Sequence, residues 1–150
     1  MNENRRRSAR RGFLATAGLG LAGVAAQPWR ADAAEPTAAE RANMDVVKAF
    51  CAAWPSHDLQ RILGFFTENG AYRMTETMEP AKGREALTAR INMIINNVTE
   101  FRILDTWARG PMVINERIDT FTNFQLKSWR GVGVFFLKDG KIVEWYDYTI

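Results

Sequence analysis

After Asn96-Asn97 the apolar residues of this chain stop recurring every third or fourth position and begin to alternate. No other feature constrains the fold as much, because helices and strands demand different periods. Upstream of the change, Thr37-Ala38-Ala39-Glu40 is a capping-box pattern. It opens a helical stripe through Met44, Val47, Phe50, Cys51 and Trp54, and Pro55 ends it. Asp58 caps a short second helix whose apolar residues are Leu59, Ile62, Leu63 and Phe66. Asn69-Gly70 closes that helix and hands over to an extended piece, Ala71 to Thr77. Pro80 to Gly83 reads as a turn, and Arg84 to about Ile95 as a third helix. Downstream, Phe101, Ile103, Asp105 and Trp107 alternate with Arg102, Leu104 and Thr106. Gly110-Pro111 turns the chain into a strand from Val113 to Phe121. Trp129 to Lys138 and Lys141 to Thr149 form a hairpin around Asp139-Gly140, residues suited to a type I′ turn. Helices followed by a long antiparallel meander imply an α+β fold, with the N-terminal helices packed on one face of a curved, mostly antiparallel sheet.

Charge and residue counts narrow the chemistry. The formal charge of +3 is concentrated at the start, where residues 1–33 carry six arginines against Glu3 and Asp32. The remainder is close to neutral and shows no basic patch of the kind that follows a phosphate backbone, so nucleic acid is not an expected partner. With Cys51 and His57 the only cysteine and histidine, a Cys/His zinc site lacks ligands and an intrachain disulfide is impossible. Cys51 falls on the apolar stripe of the first helix and His57 in a capping loop. No nucleophile elbow or glycine-rich phosphate loop occurs. Catalysis therefore falls to carboxylates, Arg, Tyr or Lys, with no metal or cofactor expected.

Residues 1–33 read as a secretory leader and residues 34–150 as one domain. A basic start precedes an apolar stretch from Phe13 to Ala26, too short for a stable membrane anchor, and Ala31-Asp32-Ala33 offers a cleavage pattern. Arg10-Arg11-Gly12-Phe13-Leu14 resembles the twin-arginine export motif, which implies a periplasmic or extracellular place of work.

In the strand around Asn115-Glu116-Arg117-Ile118-Asp119, alternation puts Asn115, Arg117 and Asp119 on one face. Both faces mix polar and apolar residues, so the pattern alone leaves their burial open. For the hairpin, pairing Lys138 with Lys141 and continuing without interruption sets Val134 against Trp145 and Val132 against Asp147. Val132, Val134, Phe136, Val143, Trp145 and Asp147 then share a face that is apolar except for Asp147, where a carboxylate needs a partner or a function.

These residues resemble the limonene-1,2-epoxide hydrolase family. Asn115-Glu116-Arg117-Ile118-Asp119 is similar to its Arg-x-Asp strand, and Gly133-Val134-Phe135 through Trp145-Tyr146-Asp147-Tyr148 to its final hairpin and second aspartate. Ala71-Tyr72, Glu79-Pro80 and Gly83-Arg84-Glu85-Ala86 look like its pocket strand and third helix. The similarity spans roughly Ala38 to Ile150. It implies the cone-shaped fold shared with nuclear transport factor two and ketosteroid isomerase, helices on the concave face, and usually a homodimer. It also implies cofactor-independent hydrolysis of a small apolar epoxide to a vicinal diol. Asp147 would activate water, Asp119 would protonate the epoxide oxygen, Arg117 would bridge both, and Tyr72 would help hold the water. Met74, Met78, Val134, Trp145 and Asn115 are the expected pocket residues, with the guanidinium within hydrogen-bonding reach of both carboxylates.

Two departures stand out. Where the family has an Asn two residues after the pocket Tyr, this chain has Met74; Thr75, Glu76 and Asn115 are the candidates to replace that water ligand. The chain also ends at Ile150, where relatives continue, so a more open pocket or one closed by a partner subunit is expected. The missing ligand favours an alternative, an isomerase, lyase or epoxide-opening cyclase on the same scaffold; a non-catalytic module that binds a hydrophobic ligand is a further alternative.

Overall fold

The capping box at Thr37 forms as its sequence requires. Thr37 Oγ1 accepts from the Glu40 backbone N–H (3.2 Å) and Glu40 Oε2 accepts from the Thr37 N–H (2.8 Å). The other oxygen of Glu40 accepts from the Gly110 N–H (2.7 Å), tying this helix start to a distant turn, and these backbone donors hold its carboxyl below the usual range. A computed structural model describes residues 35–150; the expected leader, residues 1–33, lies outside them.

Helix α1 (Ala38–Ala53) buries Val47, Phe50 and Cys51. Trp54–Ser56 follows as a short 3-10 turn with Pro55 at its start. His57 takes the left-handed conformation (φ 56°), and its Nδ1–H donates to the Ile95 carbonyl (2.7 Å), so it anchors a loop. Asp58 caps α2 (Leu59–Leu63) by accepting from the Arg61 N–H. Next come β1 (Phe66–Arg73), β2 (Ala81–Lys82), α3 (Gly83–Asn92), β3 (Val98–Arg109), β4 (Met112–Phe121), β5 (Ser128–Lys138) and β6 (Lys141–Thr149). They form a six-stranded curved, open sheet in the order β2-β1-β6-β5-β4-β3. Only the β1–β6 pair is parallel. The helices cover the concave face, as an α+β architecture requires. Among the described residues no helix is long and apolar enough to cross a membrane.

Phe50 is the centre of the core. Its ring meets Trp54, Phe65, Phe66, Phe135 and Trp145 edge-on at centroid distances of 5.1–5.9 Å. Edge-to-face contact aligns the positive rim of one ring with the negative face of the next. Burying each such side chain contributes about 1.5–3 kcal/mol.

Five local expectations are corrected. Phe66 does not extend α2; that helix stops at Leu63, and Phe66 is already in β1. The extended piece ends at Arg73 instead of Thr77, and Ala81-Lys82 pairs with β1 where only a turn was expected. In β3 the ladder slips between Ile103 and Asp105. Phe101 and Ile103 therefore face the core while Trp107 is 47% exposed, because an extra residue in one strand reverses every later side chain. The same thing happens in the last hairpin. Asp139 (φ 51°) and Gly140 (φ 72°) make the expected turn and Lys138 pairs with Lys141. The register then shifts beyond Leu137 and Ile142, so Trp145 pairs with Phe135 and Asp147 with Gly133. The concave face of β5 consequently carries Trp129, Gly131, Gly133, Phe135 and Leu137, while Val132, Val134 and Phe136 are turned to the convex face.

Candidate active site

Strand β4 alternates buried and half-buried residues, and its buried set from Val113 onward includes Asn115, Arg117 and Asp119. Neighbouring β5 places glycine beneath them, since Arg117 pairs with Gly131 and Asn115 with Gly133. A side chain at either glycine would collide: a Cβ at Gly133 with Arg117 Nη1 and with Phe135 Cε2 (2.7 Å), one at Gly131 with the Trp129 ring and the Tyr148 carbonyl. The two glycines form a trough through which Arg117 reaches from β4 across β5 to β6. Paired glycines on one face of a strand mark such a close approach.

At the far side of the trough stands Asp147. Arg117 Nε donates to Asp119 (2.9 and 3.2 Å to its two oxygens) and Nη2 to Asp147 Oδ1 (2.8 Å). Asp147 Oδ1 also accepts from Trp145 Nε1 (2.7 Å), and Oδ2 from the Tyr72 hydroxyl (3.2 Å). Tyr72 comes from β1, which runs parallel to β6 and pairs Tyr72 directly with Trp145, so their rings stack at 3.7 Å. Phe101, Trp129 and Trp145 present ring faces to the guanidinium at 4.9, 5.1 and 5.3 Å. Such rings stabilise a cation that has lost its water.

The exposures are 0% for Arg117, 3% for Asp119 and 4% for Asp147, so solvent screens little here. Burial pushes the Asp119 carboxyl up to about 7, with Asp147 pushing the same way and Arg117 offsetting part of the rise. Burial also raises Asp147 against the opposing effect of Arg117, Trp145 and Tyr72. Burial and the Asp147 charge lift Tyr72 well above its usual range, so it remains a donor. Burial works against the Arg117 cation, but the two aspartates outweigh it and keep it charged. With one proton shared by the two acids, the group is neutral overall. Burial pushes the Cys51 thiol, deep in the core, up to about 12, which leaves it inert.

Asp119, Asp147 and Tyr72 border a cavity of about 140 Å³. Its other walls are mainly apolar: Met74 and Ile94, Phe101 and Phe121, then Phe124, Leu126 and Trp129. Of the expected pocket residues only Met74 lines it. Trp145 lies behind Tyr72 as a donor to Asp147, and Asn115 is fully buried on the same face of β4 as Arg117. Val134 and Met78 are corrections. The slip in the β5–β6 register turns Val134 to the convex face, and Met78, in a bend after β1, is not on the cavity wall. Among the substitutes considered for the missing Asn, Thr75 reaches the cavity wall, whereas Glu76 is exposed and accepts from the Thr149 N–H. Gly131 and Gly133 are site residues beyond those expected, although their spacing on one face of β5 is a usable signal. So are Phe124 and Leu126 in the β4–β5 loop, where apolar residues between two strands mark a surface with something to cover.

Comparison with known proteins agrees with this architecture. An M. tuberculosis epoxide hydrolase of limonene-1,2-epoxide hydrolase-like type superposes with a TM-score of 0.64 at 23% identity, covering 74% of this chain and 84% of the other. SalBIII, an epoxide hydrolase/cyclase-like enzyme in pyran ring formation in the polyether salinomycin, gives 0.68 at 22% identity, covering 74% and 92%. A candidate polyketide cyclase from Xanthomonas campestris pv. campestris gives 0.60 at 19% identity, again covering 74% and 92%. At these identities the likeness is one of fold. The family model for the SnoaL-like domain matches residues 47–145, most of the described structure, and on that match the chain belongs to the SnoaL-like domain family.

Proposed function

We propose that this protein is a cofactor-independent epoxide hydrolase that adds water to a small apolar epoxide in one acid–base step. The observation that carries the reading is the Arg117 guanidinium bound to Asp119 through Nε and to Asp147 through Nη2, with both carboxylates on the wall of an apolar cavity. Opening an epoxide with water requires a proton to leave the water while another reaches the departing oxygen, and two acids at one site supply both transfers. Asp147, which accepts from three donors, is the better-stabilised anion and serves as the base. Asp119 has Arg117 alone as donor and a carboxyl raised to about 7, so it holds a proton near neutrality and serves as the acid. As water attacks carbon, its proton passes to Asp147. The carbon–oxygen bond breaks, and the Asp119 proton passes to the epoxide oxygen. The product is a diol, and return of the proton from Asp147 to Asp119 restores the enzyme. Tyr72 and the Thr75 hydroxyl are the proposed contacts to the water. The mainly apolar walls of the cavity favour an apolar substrate.

A second reading is an isomerase or an epoxide-opening cyclase that uses one aspartate as base without water. Met74, standing where a water ligand is expected, favours it. Turnover of limonene oxide in heavy-oxygen water separates the two. Labelled diol supports hydrolysis, unlabelled rearranged product supports the cyclase-type reading, and full hydrolysis by an Asp147→Asn variant sinks the role given to Asp147.

The reading also includes export through residues 1–33, checked by whether the mature protein begins at Ala34, and a homodimer. Trp107, Ile114, Val134 and Phe136 form an outward apolar strip on the convex face that a second copy would cover. A monomeric mass in solution would remove the dimer.

A further inference from the structure

The acid–base clamp uses Nε and Nη2 of Arg117 and leaves Nη1 over. That atom is buried and, among the described residues, has no hydrogen-bond partner. Its position is given by Gly133, because a Cβ there would run into it. Asn115 is the direct cross-strand partner of Gly133 and points to the same concave face. It is fully buried, and its Oδ1 likewise has no partner among the described residues. Its Nδ2 meets only Thr106 Oγ1, at a long 3.4 Å. An orphaned charged donor and an orphaned amide acceptor thus lie one cross-strand step apart, a separation of about 5 Å between backbones. Each is costly alone, and each is what the other lacks.

We propose that Asn115 is a positioning residue whose amide oxygen is joined to Arg117 Nη1 through one buried water, and so fixes the plane of the guanidinium between the two aspartates. Rotation about the Cδ–Nε bond would carry Nη2 off Asp147, and an acceptor behind Nη1 opposes that rotation. Asn115 touches neither the cavity nor the substrate and acts through Arg117 alone. The inference rests on the acid–base reading of the clamp for its consequence in turnover, but its physical content concerns Asp119 in the free protein.

The test is a carbon-13 titration of the Asp119 carboxyl in the full chain without substrate, joined to kcat and KM on limonene oxide. Asn115→Leu keeps the volume and removes the acceptor. Its loosened guanidinium stabilises the Asp119 anion less, so the midpoint rises by roughly one unit. The kcat falls about tenfold to a hundredfold, with KM within about twofold. Asn115→Ser, which keeps an acceptor and leaves room for a water, stays near the parent in both measurements. If Asn115→Leu does not fold, Asn115→Ala and Asn115→Ser carry the same contrast, differing by one oxygen. A midpoint and kcat unchanged in the acceptor-free variants overturn the proposal. A moved midpoint in a protein that hydrolyses no epoxide keeps the positioning role and removes the hydrolase reading. An unmoved midpoint in a protein that does hydrolyse has the opposite meaning.

Discussion

Leu87 and Arg117 are both fully buried, one on the inner side of α3 and the other on the floor of the sheet, yet opposite physics holds them. Around Leu87 and Ile91 the contacts are apolar and nondirectional, and a side chain of similar volume satisfies them. Around Arg117 every neighbour is particular: a carboxylate at 2.9 Å, another at 2.8 Å, and ring faces about 5 Å away. Removing a group from the first region leaves a void. Removing one from the second leaves a charge. A buried ion cluster is a weak source of stability, because desolvation offsets much of its attraction, so its presence in an otherwise apolar bowl points to chemistry.

Arg117→Met makes the sharpest break. Two carboxylates remain buried without their cation, and we expect a loss of about 3–5 kcal/mol in urea unfolding at pH 8. The sign of its pH dependence follows from the raised carboxyls. An acid whose folded pKa lies above its unfolded value gives stability that is complete below the unfolded pKa and is lost as pH rises through the folded one. The Arg117→Met deficit therefore shrinks at pH 5, where the acids take up protons. A deficit equal at pH 5 and pH 8 would break the comparison. Leu87→Ala is the apolar counterpart. It should lose about 2–5 kcal/mol, through lost burial and a cavity, with no change between pH 5 and pH 8.

Gly133→Ala sharpens the contrast from the backbone side. One methyl group pushes Arg117 Nη1 and Phe135 apart, an overpacking that typically costs about 1–3 kcal/mol. Because it displaces the guanidinium, turnover should fall by at least about tenfold, whereas Leu87→Ala, remote from the clamp, should retain most of it. Equal residual activity in the two variants would show that the trough is only packing.

The same contrast explains what was legible in the sequence. Local chemistry could be read: Thr37 and Glu40 cap a helix, and Asp139-Gly140 tolerates positive φ, because each signal lies within a few residues. The pairing of Arg117 with Asp119 is a two-residue spacing and was legible as a shared face. Its burial was not, since that depends on which face of β4 the helices cover. The β3 slip escaped because Ile103 and Leu104 are both apolar, and the hairpin slip because Ile142, Val143 and Trp145 are all apolar and satisfy either phase of the alternation. That slip moved Val134 out of the pocket and set Gly133 opposite Asp147. Trp145 was placed correctly on the side of Asp147 but given a pocket role, because a hydrogen bond from its indole cannot be read from alternation.

Asp119→Asn tests the smallest and most specific difference. An amide mimics a protonated carboxyl in shape and charge. With the Asp119 carboxyl raised to about 7 by burial, the parent at pH 5 already holds the neutral form there. The variant should then lie within about 1 kcal/mol of the parent at pH 5. As pH rises through 7 the parent must either carry a second buried anion or keep its proton at increasing expense, while the amide is unaffected. The variant should therefore gain on the parent between pH 5 and pH 8, although it lacks the proposed acid. Urea midpoints at the two pH values measure this directly. If the two proteins keep a constant difference, Asp119 does not titrate in that range. The neutral clamp would then need a different holder for its proton, with Asp147 the remaining carboxyl on the guanidinium.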